Sequence, residues 1–242
     1  MKDLILKGTD ELGVAITPDI ADALVNYYNI LIERNKSVNL TRITEPEDVV
    51  TKHFLDSLTP ILTQRVGKTV IDVGTGAGFP GLVIKAAMPE VHLTLLDSLN
   101  KRISFLRDAA DVMGINSDIT FMHSRAEDAG LSDIHREKYD TAVSRAVANM
   151  RTLSEWCLPL VKKGGYFLAL KGPLAESELT DALPAIEVLG GEVEDIYTAE
   201  IPFTELEHKI IIVKKVRHTP TVFPRKGKKA TEIPVEKFYK KK

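Results

Sequence analysis

The chain has 242 residues, of which 44% are hydrophobic and 27% are charged, ordinary values for a globular protein. Its single cysteine excludes a disulfide framework and a cysteine-based zinc site, and it indicates a reducing compartment, which we expect to be the cytoplasm. No apolar run is long enough to cross a membrane, and the charged start MKDLILKGTDELG is not typical of a signal peptide. We therefore expect neither a membrane nor a metal partner.

The charge is distributed unevenly along the chain. The formal net charge is −2, but residues 214–242 hold eleven Lys/Arg against two Asp/Glu, which leaves −11 for the first 213 residues. A basic segment on an acidic body predicts a polyanionic partner that binds mainly through that segment, or else a solubilising tail.

The first part of the chain has the periodicity of helices. Thr17-Pro18 is typical of an N-cap followed by proline at the first helical position. A second helix is predicted to begin at Pro46. The apolar residues at helical spacing after these two starts are Ile20, Leu24, Tyr27, Tyr28, Leu31, Val49, Val50, Phe54, Leu55 and Leu58. Residues 1–62 are thus predicted to form a helical N-terminal extension.

From Thr69 the pattern changes to short apolar runs that alternate with helical segments. Strands are predicted at 69–74, 92–97, 118–123, 140–146 and 165–171, with helices near 80–88, 99–113, 149–161 and 174–189. This alternation predicts a Rossmann-like α/β core over 66–216, with ligands at the carboxyl ends of the strands. Strand-like segments at 192–201 and 208–216 leave no room for a helix, so the seven-stranded, mostly parallel sheet should close with an antiparallel last strand. We expect one domain, a monomer, with 217–242 as a basic C-terminal segment.

The segment TVIDVGTGAGFPG, residues 69–81, carries two interpretations. From Gly76 to Gly81 it satisfies the G-x-G-x-x-G dinucleotide fingerprint. From Asp72 it has the form D-x-G-x-G-x-G, which is similar to the first motif of S-adenosylmethionine-dependent methyltransferases. A glycine-rich turn between a strand and a helix lets the backbone approach a nucleotide-like ligand, so Gly76 and Gly78 are predicted cofactor contacts.

Other residues bear on which cofactor is bound. Asp97 ends the second strand 21 residues after Gly76 and is predicted to accept the ribose hydroxyls in either case. Three features favour S-adenosylmethionine over a nicotinamide: the acid Asp72 inside the strand, the absence of a separate substrate domain, and the absence of a Tyr-x-x-x-Lys pair. Ala126 and Glu127 follow the third strand, where a loop could receive the adenine ring.

With these motifs together, nearly the whole chain resembles the family of bacterial 16S ribosomal RNA guanine-N7 methyltransferases, also known as glucose-inhibited division protein B. The resemblance rests on NLTRI (39–43), HFLDSL (53–58), IDVGTGAGFPG (71–81), LLDSLNKRISFL (95–106), HSRAED (123–128), SRAVA (144–148) and LALKG (168–172). It implies cofactor contacts from Gly74, Phe79, Ala126, Glu127 and Arg145. It also implies that Arg125, Arg145 and Lys171 face the RNA of the small ribosomal subunit. In the C-terminal segment, Phe223 stands where the family has tyrosine.

The resemblance is consistent with the chemistry that the residues allow. Guanine N7 carries a lone pair and no proton, so its methylation needs positioning rather than a general base. The chain lacks the Asp/Asn-Pro-Pro-Tyr/Phe tetrapeptide of amino-group methylation, and Cys157 in LSEWCLPL is predicted to be a core residue rather than a nucleophile. His53, beside Phe54, is predicted to be structural.

Basic residues are assigned to the RNA. Arg125 and Lys171 should contact phosphates or guanine O6, and Arg145 should lie nearest the transferred methyl group. Under the same hypothesis, the C-terminal segment binds the phosphate backbone through Arg217, Arg225, Lys226, Lys228 and Lys229. Two alternatives stay open: an NAD(P)-dependent Rossmann oxidoreductase, and a non-catalytic RNA-binding protein on a methyltransferase fold.

Overall fold

The computed structural model describes residues 1–205, 207–227 and 233–239. The expected phosphate contacts Lys228 and Lys229 lie outside the described residues, as do Lys240, Lys241 and Lys242. Within the described ranges, no helix is both long and apolar enough to span a membrane.

In the part of the chain that the structure describes, seven strands form one sheet. They are β1 (Thr69–Val73), β2 (His92–Asp97), β3 (Ile119–His123), β4 (Tyr139–Arg145), β5 (Val161–Lys171), β6 (Gly191–Glu200) and β7 (Glu207–Lys215). Their spatial order is β3-β2-β1-β4-β5-β7-β6, and the pairs among β1 to β5 are parallel. Strand β7 runs antiparallel to both β5 and β6, which confirms the predicted antiparallel last strand.

Helices precede the sheet and connect its strands. They are α1 (Lys2–Leu12), α2 (Pro18–Val38), α3 (Pro46–Val49), α4 (Asp56–Leu62), α5 (Gly81–Ala87), α6 (Asn100–Met113), α7 (Ala126–Leu131), α8 (Met150–Cys157), α9 (Ala175–Val188) and α10 (Val235–Phe238), with a π-helical segment Val50–Leu55 between α3 and α4. As predicted, the Thr17 side chain caps α2 by accepting from the Ile20 N–H at 3.3 Å.

Three features differ from the sequence prediction. Helix α1 was not predicted, because its charged residues mask the apolar side that buries Ile5. The helix from Pro46 contains the π-helical segment, which hydrophobic spacing does not reveal. Ala126 and Glu127 do not lie in a loop: they begin α7, with Arg125 at its N-cap position.

The near-continuous apolarity of the central strands follows from burial on both faces. Successive strand residues point to opposite faces of the sheet. In β5, Phe167 and Ala169 pack against the layer of α8 and α9, whereas Leu168 and Leu170 pack in the cluster that contains the N-terminal helices. All four are at most 3% exposed. The N-terminal extension therefore shares its apolar core with one face of the sheet.

The C-terminal segment packs on the opposite face, and this corrects the role expected for Arg225. Its guanidinium forms a two-pronged ion pair with the carboxylate of Glu155 on α8, at 2.8 and 2.6 Å. The side chains are only 3% and 0% exposed. The charge of Arg225 is thus neutralised in the interior and fastens the segment to α8. Cys157 is fully buried, as predicted.

Candidate functional site

The turn after β1 takes its shape from a buried acid. The Asp72 Oδ2 atom accepts hydrogen bonds from the Thr75 hydroxyl at 2.7 Å and the Gly81 N–H at 2.9 Å. A Cβ atom on Gly81 would lie 2.8 Å from Asp72 Oδ2, so only glycine allows this approach. Complete burial raises the pKa of Asp72 to about 6, despite the opposing effect of the two hydrogen bonds.

Asp97 fixes the other side of the same turn. Its Oδ2 atom accepts from the Gly76 N–H at 3.0 Å and from Arg102 at 3.1 Å, while Oδ1 accepts from the Leu99 N–H at 2.9 Å. Gly74 and Gly76 have positive φ angles of 72° and 60°, which glycine adopts without strain. The carboxylate at the end of β2 and the loop after β1 thus hold each other in place.

Among the described residues, two adjoining cavities lie at this edge of the sheet. The loop cavity, of about 410 Å³, is lined by the glycine-rich turn together with Asp97, Arg145 and residues 40, 41 and 53 of the extension. The small cavity, of about 150 Å³, is lined by Leu96, Asp97, Arg125, Ala126, Glu127 and Trp156, among others. Gly74, Asp97, Ser98 and Val147 belong to both walls. One elongated ligand could therefore occupy both.

A third and larger cavity adjoins them. The wide cavity, of about 630 Å³, lies between the N-terminal extension and the ends of β4 and β5, and its lining includes Lys171, Glu178 and His208. It shares His53, Arg145, Ala146 and Val147 with the loop cavity. A second ligand in the wide cavity would therefore meet the first across the wall that contains Arg145.

Arg145 is held at this junction by the extension. Its Nη1 atom donates to Asp56 Oδ2 at 2.6 Å and to the Lys52 carbonyl at 3.1 Å, and Nη2 lies 3.1 Å from His53 Nδ1. The guanidinium carbon also lies 5.1 Å from the centre of the Phe79 ring. Three of its five N–H groups are engaged in this way, so the arginine is oriented while two donors remain.

Asp56 is the charge that balances Arg145. It is 1% exposed and also bonds the Nδ1 atom of His208 on β7. Burial alone would raise the pKa of Asp56, but the His208 hydrogen bond and the Arg145 charge outweigh it and hold the pKa below its usual range. The bond to Asp56 in turn raises the pKa of His208. One buried carboxylate therefore connects the extension to two strands.

His53 lies beside Arg145 as a neutral group. Burial, and then the charge of Arg145, lower its pKa to about 4. Its ring stacks on Phe79 with centroids 4.5 Å apart, and Nε2 lies 2.8 Å from the Thr41 hydroxyl. Because a guanidinium can only donate, we assign the lone pair to Nδ1 and the proton to Nε2. His53 was predicted to be structural, yet it lines both the loop cavity and the wide cavity.

Lys171 is paired as well. Its ammonium group donates to the Ala148 carbonyl and to Glu178 Oε2, both at 2.7 Å, and the side chain is 7% exposed. It lines the wide cavity from the end of β5, as the prediction of a substrate contact requires. Its ammonium group is nevertheless anchored to α9 rather than free in solution.

Most predicted site residues meet at this edge of the sheet. Those that line the three cavities are Gly74, Gly76, Phe79, Asp97, Arg125, Ala126, Glu127, Arg145 and Lys171. Gly78 does not line them. A Cβ there would lie 2.6 Å from the Tyr27 hydroxyl and 2.7 Å from Leu82 Cδ1, so Gly78 is required for packing between the turn and the extension.

Sequence reasoning missed Asp56 and His208. The signal for Asp56 was an acid within the apolar helical segment HFLDSL, where a solvent-exposed carboxylate is not expected. His208 gave no comparable signal, because it is 152 residues away from Asp56 in the chain.

The strand order and the antiparallel β7 define the Rossmann-like fold of the methyltransferases. Precorrin-6y C5,15-methyltransferase from Geobacter metallireducens GS-15 is similar in structure, with a TM-score of 0.51, 16% identity and coverage of 75% of this chain and 95% of that chain. At this level of identity, the similarity shows the fold alone.

The sequence defines the family. The family model described as rRNA small subunit methyltransferase G (GidB) matches residues 20–207. Proteins named ribosomal RNA small subunit methyltransferase G are 48% identical over 98% of this chain in Alkaliphilus oremlandii and 46% identical over 96% in Alkaliphilus metalliredigens, covering 99% and 98% of those proteins. The chain belongs to the rRNA small subunit methyltransferase G family. This confirms the resemblance and disfavours the oxidoreductase alternative.

Proposed function

We propose that this chain transfers the methyl group of S-adenosylmethionine to N7 of a guanine in 16S ribosomal RNA of the small subunit. Family membership supports the rRNA substrate. The observation that carries the proposal is the shared wall of the loop cavity and the wide cavity, because a cofactor in the first and a base in the second would meet there. When bound, S-adenosylmethionine supplies an electrophilic methyl carbon on a sulfonium.

The residues present fit this cofactor. Adenine and ribose match the small cavity, where Glu127 can accept from an exocyclic amine and Asp97 lies at the passage to the loop cavity. The methionine part would lie along the turn from Gly74 to Ala77. A Cβ on Gly74 would approach Val147 Cγ2 at 2.7 Å, so glycine keeps open the narrow part shared by the two cavities.

The charges of the wide cavity suit a reaction whose product is a cation. Methylation makes the guanine ring positive, so an unbalanced positive charge beside it would oppose the step. Arg145 is balanced by Asp56, Lys171 is balanced by Glu178, and His53 stays neutral at neutral pH. These groups can orient a purine by hydrogen bonding without repelling the charge that develops.

The decisive experiment is mass mapping of methylated nucleotides after the protein has been incubated with S-adenosylmethionine and unmodified small subunits. We expect one new 7-methylguanine in 16S rRNA. Salt-sensitive RNA binding without methyl transfer would instead support the non-catalytic alternative. Calorimetric titration with S-adenosylhomocysteine and with NADH tests the cofactor, and binding of NADH alone would exclude the proposal.

The role of Asp97 has its own test. We expect Asp97→Ala to weaken S-adenosylhomocysteine binding about ten-fold or more, since a hydrogen bond to a charged group contributes roughly 1.5–3 kcal/mol. Asp108→Ala is the matched control, because Asp108 lies on α6 in an exposed ion pair with Arg34. Equal affinities of the two variants would remove Asp97 from the cofactor site.

A further inference from the structure

The arginines of this chain fall into two groups. All eleven lie within the described ranges, and eight contact a carboxylate, a main-chain carbonyl or an aromatic ring: Arg34, Arg65, Arg102, Arg107, Arg136, Arg145, Arg217 and Arg225. The other three, Arg42, Arg125 and Arg151, have no such partner among the described residues. Arg42 and Arg125 are exposed, and Arg151 is half-buried.

Each of the three unpartnered arginines lies in or next to a segment that lines one of the cavities. Arg125 lines the small cavity. Arg42 stands between Thr41, which lines the loop cavity, and Ile43, which lines the wide cavity. Arg151, in the first turn of α8, follows the wide-cavity residue Asn149 by two positions. They come from three separate segments of the chain, each of which contributes residues to a cavity wall.

We propose that Arg42, Arg125 and Arg151 form a phosphate-binding rim that docks an RNA strand over the wide cavity. The proposal rests on the proposed function, and it assigns RNA contacts to two residues, Arg42 and Arg151, that the family resemblance did not indicate. Guanidinium groups match the geometry of phosphate oxygens, and a partner that carries phosphates would supply the acceptors that these three lack in the protein.

The charge distribution requires a local site of this kind. Residues 1–213 carry a net charge of −11, so the body of the protein as a whole would repel a polyanion. Three described cations of the C-terminal segment are already engaged: Arg225 with Glu155, Lys226 with Asp128, and Arg217 with the carbonyl of Glu187. Lys237 is exposed and has no partner among the described residues. Free arginines in or next to the cavity walls can therefore direct RNA to the cavity where the target base must enter.

The test compares two triple variants that lose the same charge. In the rim variant, Arg42→Gln, Arg125→Gln and Arg151→Gln are combined. The control combines Lys68→Gln, Lys138→Gln and Lys163→Gln. These lysines are exposed, have no side-chain partner among the described residues, and lie at the opposite, amino-terminal ends of β1, β4 and β5. Binding to unmodified 16S rRNA and to unmodified small subunits is measured over a range of salt concentrations.

Three lost phosphate contacts should reduce the slope of log K against log salt by about 2, and should weaken binding about 100-fold at 0.1 M salt. The control should keep the wild-type slope. A third variant with lysine at the three rim positions should retain most of the slope, because it keeps the charge. Equal slopes for the rim variant and the control would overturn the proposal.

The experiments distinguish a failure of this proposal from a failure of the proposed function. Binding is measured without methyl transfer, so the rim can be tested even if the wild type transfers no methyl group. Urea unfolding checks that the rim variant is folded, and we expect its midpoint to match that of the control variant. If the wild type binds S-adenosylhomocysteine but methylates no RNA, the proposed function fails whatever the slopes are.

Discussion

The buried pair of Asp56 and Arg145 allows the sharpest test of how the extension contributes to the reaction. Asp56→Asn keeps the size of the side chain but removes its charge. Arg145 then keeps its positive charge at 15% exposure, with no carboxylate at 2.6 Å to balance it. The variant should therefore affect both folding and methyl transfer, through the same uncompensated charge.

The two effects can be assigned magnitudes. Breaking a buried ion pair by removing one partner should lower the free energy of unfolding by about 3 kcal/mol. A purine that becomes cationic at about 7 Å from an uncompensated unit charge is destabilised by roughly 2 kcal/mol at an effective dielectric constant of about 20. That energy corresponds to a methyl-transfer rate about 30-fold lower. RNA affinity should not fall, because the variant is one unit more positive.

The assay is single-turnover transfer of a labelled methyl group to unmodified small subunits at saturating protein, with urea unfolding and RNA binding measured in parallel. Asp108→Asn serves as the control. It breaks an ion pair of the same type whose side chains are 39% and 47% exposed, and such surface pairs contribute only about 0–1 kcal/mol. A normal transfer rate in folded Asp56→Asn, or a lower rate explained by weaker RNA binding, would refute the charge-balance argument.

Three further predictions concern the turn after β1 and the C-terminal segment. Gly81→Ala should lower the free energy of unfolding by about 2 kcal/mol, because its Cβ would lie 2.6 Å from Leu95 and 2.8 Å from Asp72. Gly172→Ala, with nothing within 4 Å, should have little effect, and equal urea midpoints would contradict the packing argument. Arg225→Gln should cost about 3 kcal/mol of stability and leave the salt dependence of RNA binding unchanged. A changed slope with unchanged stability would restore its expected phosphate role. The pKa of Asp72 is raised to about 6, so its contribution to the free energy of unfolding falls as pH rises towards 6. The pKa of His53 is lowered to about 4, so its contribution to the free energy of unfolding grows as pH rises from 4 to 6.5. Asp72→Asn should therefore show unfolding free energies that rise more steeply with pH over this window than those of the wild type, and parallel curves would contradict the assignment.

The fold was predictable because its elements have local signals. The Thr17 cap, the apolar runs of the strands and the hairpin without room for a helix each depend on residues close together in the chain. The glycine-rich turn and Asp97 likewise occupy the positions that their spacing predicts, as their hydrogen bond at 3.0 Å shows. These features follow from backbone constraints, which a single sequence expresses directly.

The residues that sequence reasoning missed depend on contacts between distant segments. Both partners of Asp56 are distant in the chain. Arg145, which balances its charge, is 89 residues away, and His208, which bonds to it, is 152 residues away. The prediction for Arg225 failed for the same reason. Its charge places it in a basic segment that was expected to bind phosphates, but it pairs with Glu155, a buried acid on α8, 70 residues earlier. Composition gives the number of charges, and only packing decides which of them remain free.

This distinction explains how a protein with net charge −2 can act on a polyanion. Cations that are paired inside the fold, such as Arg145 and Lys171, contribute little to long-range attraction, because each is cancelled by a neighbouring carboxylate. We propose that they act at short range, by orienting a ligand. Attraction must come from cations without partners, and the three unpartnered arginines lie in or next to segments that line the cavities. The two proposals therefore assign the cations of the site two tasks: free arginines of the rim would bind the RNA, and the neutralised pairs would position the base without opposing the positive charge that methylation creates.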